Sequence, residues 1–242
     1  MKVRIAAVGD IHMGEDLRGR FRPRFAGIEE RADVLLLAGD LTRHGTEEEG
    51  RVVADEFRDL PIPVVAVLGN HDYHSDAEEI ISVLLRDAGM IVLEDQAAVI
   101  ECHGETLGIV GGKGFGGGFA GKCASEFGEP ETKAFVRHTK DIAERWRVAL
   151  KETPADHRVV LTHYSPVKDT LEGEPKEIYP FLGSYLLAEA VDAEGADLIV
   201  HGHAHLGSEK GLTPGGIRVR NVALPVLGRA YGVYSLKEDL NV

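Results

Sequence analysis

The 242-residue chain has little cysteine, no long apolar run and no excess of basic residues. Its two cysteines, Cys102 and Cys123, form no Cys-x-x-Cys pair, which excludes a zinc ribbon and a thioredoxin-like redox motif. Two reduced structural thiols fit a cytoplasmic protein. No stretch of about 18 apolar residues occurs, so no membrane-spanning helix is expected. Residues 3–8 are apolar but too few for the core of a signal peptide, and no small-residue cleavage site follows. A cytoplasmic location is therefore expected. The formal net charge of -13 argues against a protein that coats nucleic acid or an anionic membrane unaided. There is no internal repeat, low-complexity tract or interdomain linker. The length suffices for one large core, so residues 1–242 are expected to form a single domain.

What is present first is an α/β alternation. Residues 3–8, apart from Arg4, and residues 34–38 and 64–68 are aliphatic runs of the kind found in strands covered on both faces. Between and after them lie helical patterns at about 23–32, 46–59 and 76–88. The last opens with Ser75 and carries Glu78 three residues on, the pattern of a capping box. This order implies parallel strands with right-handed crossovers. Residues 91–93, 97–101 and 107–110 read as short strands of an antiparallel meander. A glycine-rich stretch at 111–121 follows and reads as a mobile loop rather than a phosphate-binding one, because it lacks Gly-Lys-Ser/Thr. Further helices are expected at about 131–151 and 181–194. Strands are expected at 159–162, 198–200, 217–222 and 232–236. The segment 164–180 is long for a loop in a compact domain, and such loops are often functional.

Five short motifs sit at the ends of the strand candidates: Asp10-Ile11-His12, Gly39-Asp40, Gly69-Asn70-His71-Asp72, His163 and His201-Gly202-His203-Ala204-His205. Ligand sites in α/β sheets collect at the carboxyl ends of strands, so these segments are expected to converge. Each is weak alone, since an Asp at a strand end also makes Asx turns. Carboxylates suit hard cations and imidazoles suit borderline ones, so the mixed set favours manganese, iron, zinc or cobalt over calcium. Two metals about 3.5–4 Å apart need a shared anionic bridge, for which Asp40 is the natural choice.

In this order, the motifs resemble the calcineurin-like metallophosphoesterases, whose pattern is Asp-x-His, Gly-Asp, Gly-Asn-His-Asp/Glu, an isolated His and Gly-His-x-His. The resemblance runs from residue 10 to residue 205. It implies an α/β fold of two mixed sheets packed as a sandwich between helices, in four layers αββα. It also implies two divalent transition-metal ions, with Asp10, His12 and His205 on one, Asn70, His163 and His203 on the other, and Asp40 bridging. A bridging hydroxide would attack phosphorus. His71 would act as general acid or transition-state stabiliser, with Asp72 orienting its imidazole. Two divalent ions, two carboxylates and a hydroxide would leave the site net positive although the chain is acidic.

Hydrolysis of a small-molecule phosphodiester, a cyclic nucleotide or a nucleotide-like compound, is the expected activity. A phosphomonoesterase or protein phosphatase is the alternative, and nuclease and non-catalytic scaffold readings are weaker. The remaining histidines, His74, His103, His138 and His157, are expected in surface or loop positions. His201 is expected to support the site or simply to pack, and His44 lies near enough in sequence to reach it. Phe115 and Phe119 are expected to pack within the fold, with cover over a substrate base or acyl group as the alternative. Arg18, Arg20, Arg22 and Arg24 alternate, which places them on one side if that segment is extended. They are read as a solvated basic face, with contact to a distal anionic group of the substrate as the alternative.

Overall fold

The computed structural model describes residues 2–236. The first strands, β1 (Arg4–Val8), β2 (Val34–Ala38), β3 (Val64–Val67) and β4 (Ile91–Val92), pair in parallel in that order. α1 (Glu47–Phe57) joins β2 to β3, and α2 (Glu78–Asp87) joins β3 to β4. The chain then forms the antiparallel pair β5 (Gln96–Cys102) and β6 (Glu105–Gly112). A small hairpin of β7 (Gly118–Phe119) and β8 (Lys122–Cys123) precedes the long helix α3 (Pro130–Glu152). There follow β9 (His157–Thr162), α4 (Tyr179–Leu182), α5 (Tyr185–Glu194), β10 (Leu198–His201), β11 (Lys210–Leu212), β12 (Arg218–Asn221), α6 (Leu224–Leu227) and β13 (Gly232–Ser235). The second large sheet has the order β11-β12-β10-β9-β6-β5, with its four inner strands parallel. β13 returns to the first sheet, antiparallel to β1.

Side-chain alternation along the strands sorts the core into layers. Ile5, Ala7, Leu36, Val65 and Val67 face the second sheet and pack with Leu107, Ile109, Val159, Leu161, Leu198 and Val200. The alternate residues Ala6, Val8, Leu35, Leu37 and Ala66 pack outward with Val52, Val53 and Phe57 of α1 and Ile81 and Leu85 of α2. On the far side, Val110, Val160, Ile199 and Val219 meet Ile142, Trp146 and Leu150 of α3 and Leu187 and Val191 of α5. The result is the expected αββα sandwich of two mixed sheets. Among the described residues, no helix is long and apolar enough to cross a membrane.

Several local expectations are corrected. Residues 22–25 and 28–30 form separate 3-10 turns instead of one helix. The buried Glu56 carboxylate shapes this segment by accepting the backbone N–H groups of Gly19, Phe21 and Arg22. The four arginines therefore do not lie along an extended strand. Arg18 pairs with Asp55, Arg22 donates to the Arg58 carbonyl and Arg24 covers the Phe21 ring. Ser75 does not cap α2. Its hydroxyl donates to the His44 carbonyl, and α2 begins later, after Ala77, without a side-chain cap. β4 joins the first sheet instead of a meander with β5 and β6. The expected helix at 181–194 is interrupted at Gly183, where the chain lies against the Ser165 backbone. The stretch 111–121 is mostly buried. Phe115 in it packs on Phe135 and Tyr164, and Phe119 packs on Tyr179. His157 is buried within β9 beside Glu105, not in a loop.

Trp146 of α3 is fully buried against the second sheet, with its indole N–H donating to Asp95 at 2.8 Å. Trp146→Ala is expected to cost about 3–5 kcal/mol of stability, read from urea unfolding.

Candidate metal centre

The carboxyl ends of β1, β2, β3, β9 and β10 meet along one edge of the sandwich. Asp10, Asp40 and Asn70 follow β1, β2 and β3, His163 follows β9 directly, and His203 and His205 lie just beyond β10. Asp10, His12, Asp40 and His205 form one group of donor atoms, all within 4.8 Å of one another. Asp40, His163 and His203 form a second group under the same limit. Asn70 joins the second group, its Oδ1 lying 3.0 Å from His163 Nε2. Asp40 belongs to both. Its Oδ1 is 3.3 Å from His163 Nε2, while its Oδ2 is 3.8 Å from His12 Nε2 and 3.9 Å from His71 Nε2.

Backbone carbonyls fix the imidazoles. His163 donates from Nδ1 to the Ala38 carbonyl at 2.9 Å, which leaves Nε2 as the free donor atom. His203 donates from Nε2 to the Phe181 carbonyl at 3.1 Å, leaving Nδ1 free. His71 donates from Nδ1 to the Arg43 carbonyl at 2.8 Å. A carbonyl accepts only from N–H, so each bond sets the tautomer of a neutral ring and presents the other nitrogen to the centre.

The charges call for a cation. Asp10 and Asp40 are almost fully buried, and no lysine or arginine pairs with either among the described residues. Burial pushes the Asp10 carboxyl up to about 6 against the hydrogen bond from His205, and the nearby Asp40 adds to the rise. Burial also holds His163 well below the ordinary histidine value and lowers His203 to about 3, so neither ring supplies the missing positive charge. His205 is raised by its hydrogen bond to Asp10, at 2.8 Å. Buried carboxylates among neutral imidazoles, with mixed oxygen and nitrogen donors, fit divalent transition-metal ions.

The backbone is strained where the donors emerge. Asp10, His12, Asp40 and His203 all have positive φ, between 41° and 72°. Such values are uncommon outside glycine and cluster at functional sites. The motif glycines reflect the same crowding. A Cβ on Gly39, at φ 78°, would lie 2.7 Å from the His163 ring, and one on Gly202 would collide with the Asp10 carboxylate.

One other residue, Asp72, takes a role that differs from expectation. Asp72 does not touch the His71 imidazole. Its buried carboxylate accepts from the backbone of Leu41, Thr42 and Gly69 and from the Thr42 hydroxyl, tying the turns after β2 and β3 together. His44 pairs with Glu49 and makes no contact with the donor groups. His201 is fully buried, donates from Nδ1 to the Gly202 carbonyl at 2.7 Å and sits 2.7 Å from the Thr170 hydroxyl. It thereby fastens the 164–180 segment to the turn that carries His203 and His205. Burial lowers it to about 3, so it works as a neutral hydrogen-bonding group. The carbonyls of Ala38, Arg43 and Phe181 left no signal in the sequence, because any residue supplies one. Tyr164 was also missed, although its ring packs 4.4 Å from that of His203.

The family model for calcineurin-like phosphoesterases matches residues 3–207. The chain belongs to the calcineurin-like phosphoesterase family. A probable cyclic nucleotide phosphodiesterase of a Synechococcus strain is 32% identical over 90 residues, which is 33% of this chain. The matched part spans 35% of that relative's length. Among solved structures, the phosphopantetheinyl hydrolase of Mycobacterium tuberculosis superposes with a TM-score of 0.70 at 15% identity, covering 99% of this chain and 97% of that one. A putative 5'-nucleotidase of Staphylococcus aureus gives a TM-score of 0.59 at 14% identity, covering 91% of this phosphoesterase and 48% of that chain. At these identities the two structures share its fold.

Gly39→Ala tests the crowding around His163. The variant is expected to fold but to bind manganese at least about tenfold more weakly, measured by calorimetry on chelated protein, since a displaced donor of this kind commonly costs about 10–100-fold.

Proposed function

We propose that this phosphoesterase is a binuclear metal-dependent phosphodiesterase acting on a small molecule. Asp10, His12 and His205 would hold one ion and Asn70, His163 and His203 the other, with Asp40 shared by the two donor groups. The observation that carries this reading is the division of the two Asp40 oxygens between two separate donor groups. Manganese, iron, zinc or cobalt suits the mixed oxygen and nitrogen donors. When bound, such ions supply Lewis acidity to phosphoryl oxygens and lower the pKa of water toward about 7.

The chain's own groups do the rest. The carbonyls of Ala38 and Phe181 hold the His163 and His203 rings, so the donor atoms need little rearrangement on binding. His71 is held from both ends, its backbone N–H donating to Asp40 Oδ1 at 2.8 Å and its Nδ1–H to Arg43. Its side chain is 44% exposed, and in the imidazolium form, with Nδ1–H still on the Arg43 carbonyl, its Nε2–H can give a proton to a departing ester oxygen, leaving the neutral ring. A poor leaving group, such as the ribose oxygen of a nucleotide ester, gains most from that proton. The partial likeness to a probable cyclic nucleotide phosphodiesterase supports a cyclic nucleotide or nucleotide-like diester as substrate.

After chelation and manganese reconstitution, the protein is expected to hydrolyse bis(p-nitrophenyl) phosphate faster than p-nitrophenyl phosphate. A preference for the monoester would overturn the diester assignment. His71→Asn should retain its metal and lose about 10²–10⁴-fold in kcat on a cyclic nucleotide, with a smaller loss on the p-nitrophenyl diester, whose leaving group needs no proton. Equal losses on both would remove the proton-donor role.

A further inference from the structure

Among the described residues, the Lys113 ammonium has neither an ion pair nor a hydrogen bond, although the side chain is half-buried. It lies 4.3 Å from the centre of the Tyr73 ring, 5.3 Å from that of Phe115 and 5.9 Å from that of Tyr164. The position is firmly set. The Lys113 carbonyl accepts the backbone N–H groups of His163 and Tyr164, at 3.1 and 3.0 Å. Tyr164 in turn packs on His203, and Tyr73 lies two residues beyond His71. The ammonium therefore stands beside the metal centre, one aromatic ring away from it.

A lysine that served only the fold would be expected to pair with a carboxylate, because partial burial of an unpaired charge is costly. Carboxylates are near but none bonds it: Glu78, whose buried Oε2 has no hydrogen-bond partner, lies beyond ion-pair distance of the ammonium. Asp95 accepts from the Trp146 indole and the Arg145 guanidinium, and Glu94 accepts from Ser82 and lies 3.8 Å from Arg86. The aromatic faces offset part of the cost through cation–π attraction but accept no conventional hydrogen bond. The donors are thus left for a ligand. A cavity of ≈ 230 Å³ adjoins them, lined among others by Leu68, Tyr73, Lys113 and His138 and by the carboxylates Glu94 and Asp95.

We propose that Lys113 binds a second anionic group of the substrate, a phosphate distal to the scissile one, seated in this cavity beside the metal centre. The proposal rests on the phosphoesterase reading above and narrows its substrate class to diesters that carry a further phosphate. A phosphate oxygen accepts directly from an ammonium, and such charge-assisted bonds are strong where water is partly excluded.

The test is calorimetric binding of thymidine 5'-monophosphate and thymidine 3',5'-bisphosphate to the manganese-loaded protein. The two probes differ only in the distal phosphate. The native protein is expected to bind the bisphosphate about tenfold more tightly. Lys113→Met should bind the monophosphate as before and lose that preference. No preference in the native protein, or a preference kept in Lys113→Met, would overturn the proposal. If Lys113→Met loses the monophosphate too, Lys113→Arg decides: a preference retained there supports the charge, and its loss points to packing alone and overturns the proposal. Turnover of bis(p-nitrophenyl) phosphate is followed in parallel. Failure of the phosphoesterase reading would appear there, not in the difference between the two nucleotides.

Discussion

The buried carboxylate of Asp40 is the constraint on which the rest of the structure depends. It is 1% exposed, stands within reach of two donor groups and carries the His71 backbone on one oxygen. Several features of the surroundings fit the need to keep it in place. The left-handed turn at Gly39 and Asp40 aims it, and Asp72 pins the loops on either side of it. The sheets contribute by bringing the ends of five strands to a common edge. A fold built around two buried acids that no lysine or arginine neutralises among the described residues is costly without a partner, and binding a cation to such a site contributes directly to folding.

Most of the architecture was legible in the sequence because the strands are aliphatic runs, and such runs have few alternatives to a doubly covered strand. The strand-end motifs were legible for the same reason: each follows directly on an apolar run. What could not be read is what depends on partners distant in the chain. Ser75 and Glu78 have the spacing of a helix cap, but the His44 carbonyl draws the serine away. Asp72 follows His71 directly, yet its oxygens meet the backbone of residues about thirty positions earlier. The glycines at 111–121 suggested mobility, whereas here they let the chain pass close to α4 and α5.

The carboxylates and imidazoles were recognised by type, while the groups that orient them were not. Three main-chain oxygens decide which nitrogen each of three histidines turns inward. Lys113 had no motif around it, and only the absence of an acceptor singles it out. Such evidence lies in what surrounds a side chain, which one-dimensional patterns do not record.

The pairing of β13 with β1 brings the two ends of the described chain side by side. Synthesis proceeds from the amino terminus, so the edge of β1 waits open until β13 has been made. An unpaired, aliphatic strand edge is a template for unwanted association. The imidazoles of His203 and His205 also arrive late, after the carboxylates of Asp10 and Asp40. The nascent chain thus passes through an interval with an unsealed flank and an incomplete cation trap. In that interval, chaperone capture and the local supply of metal would govern the yield of native protein.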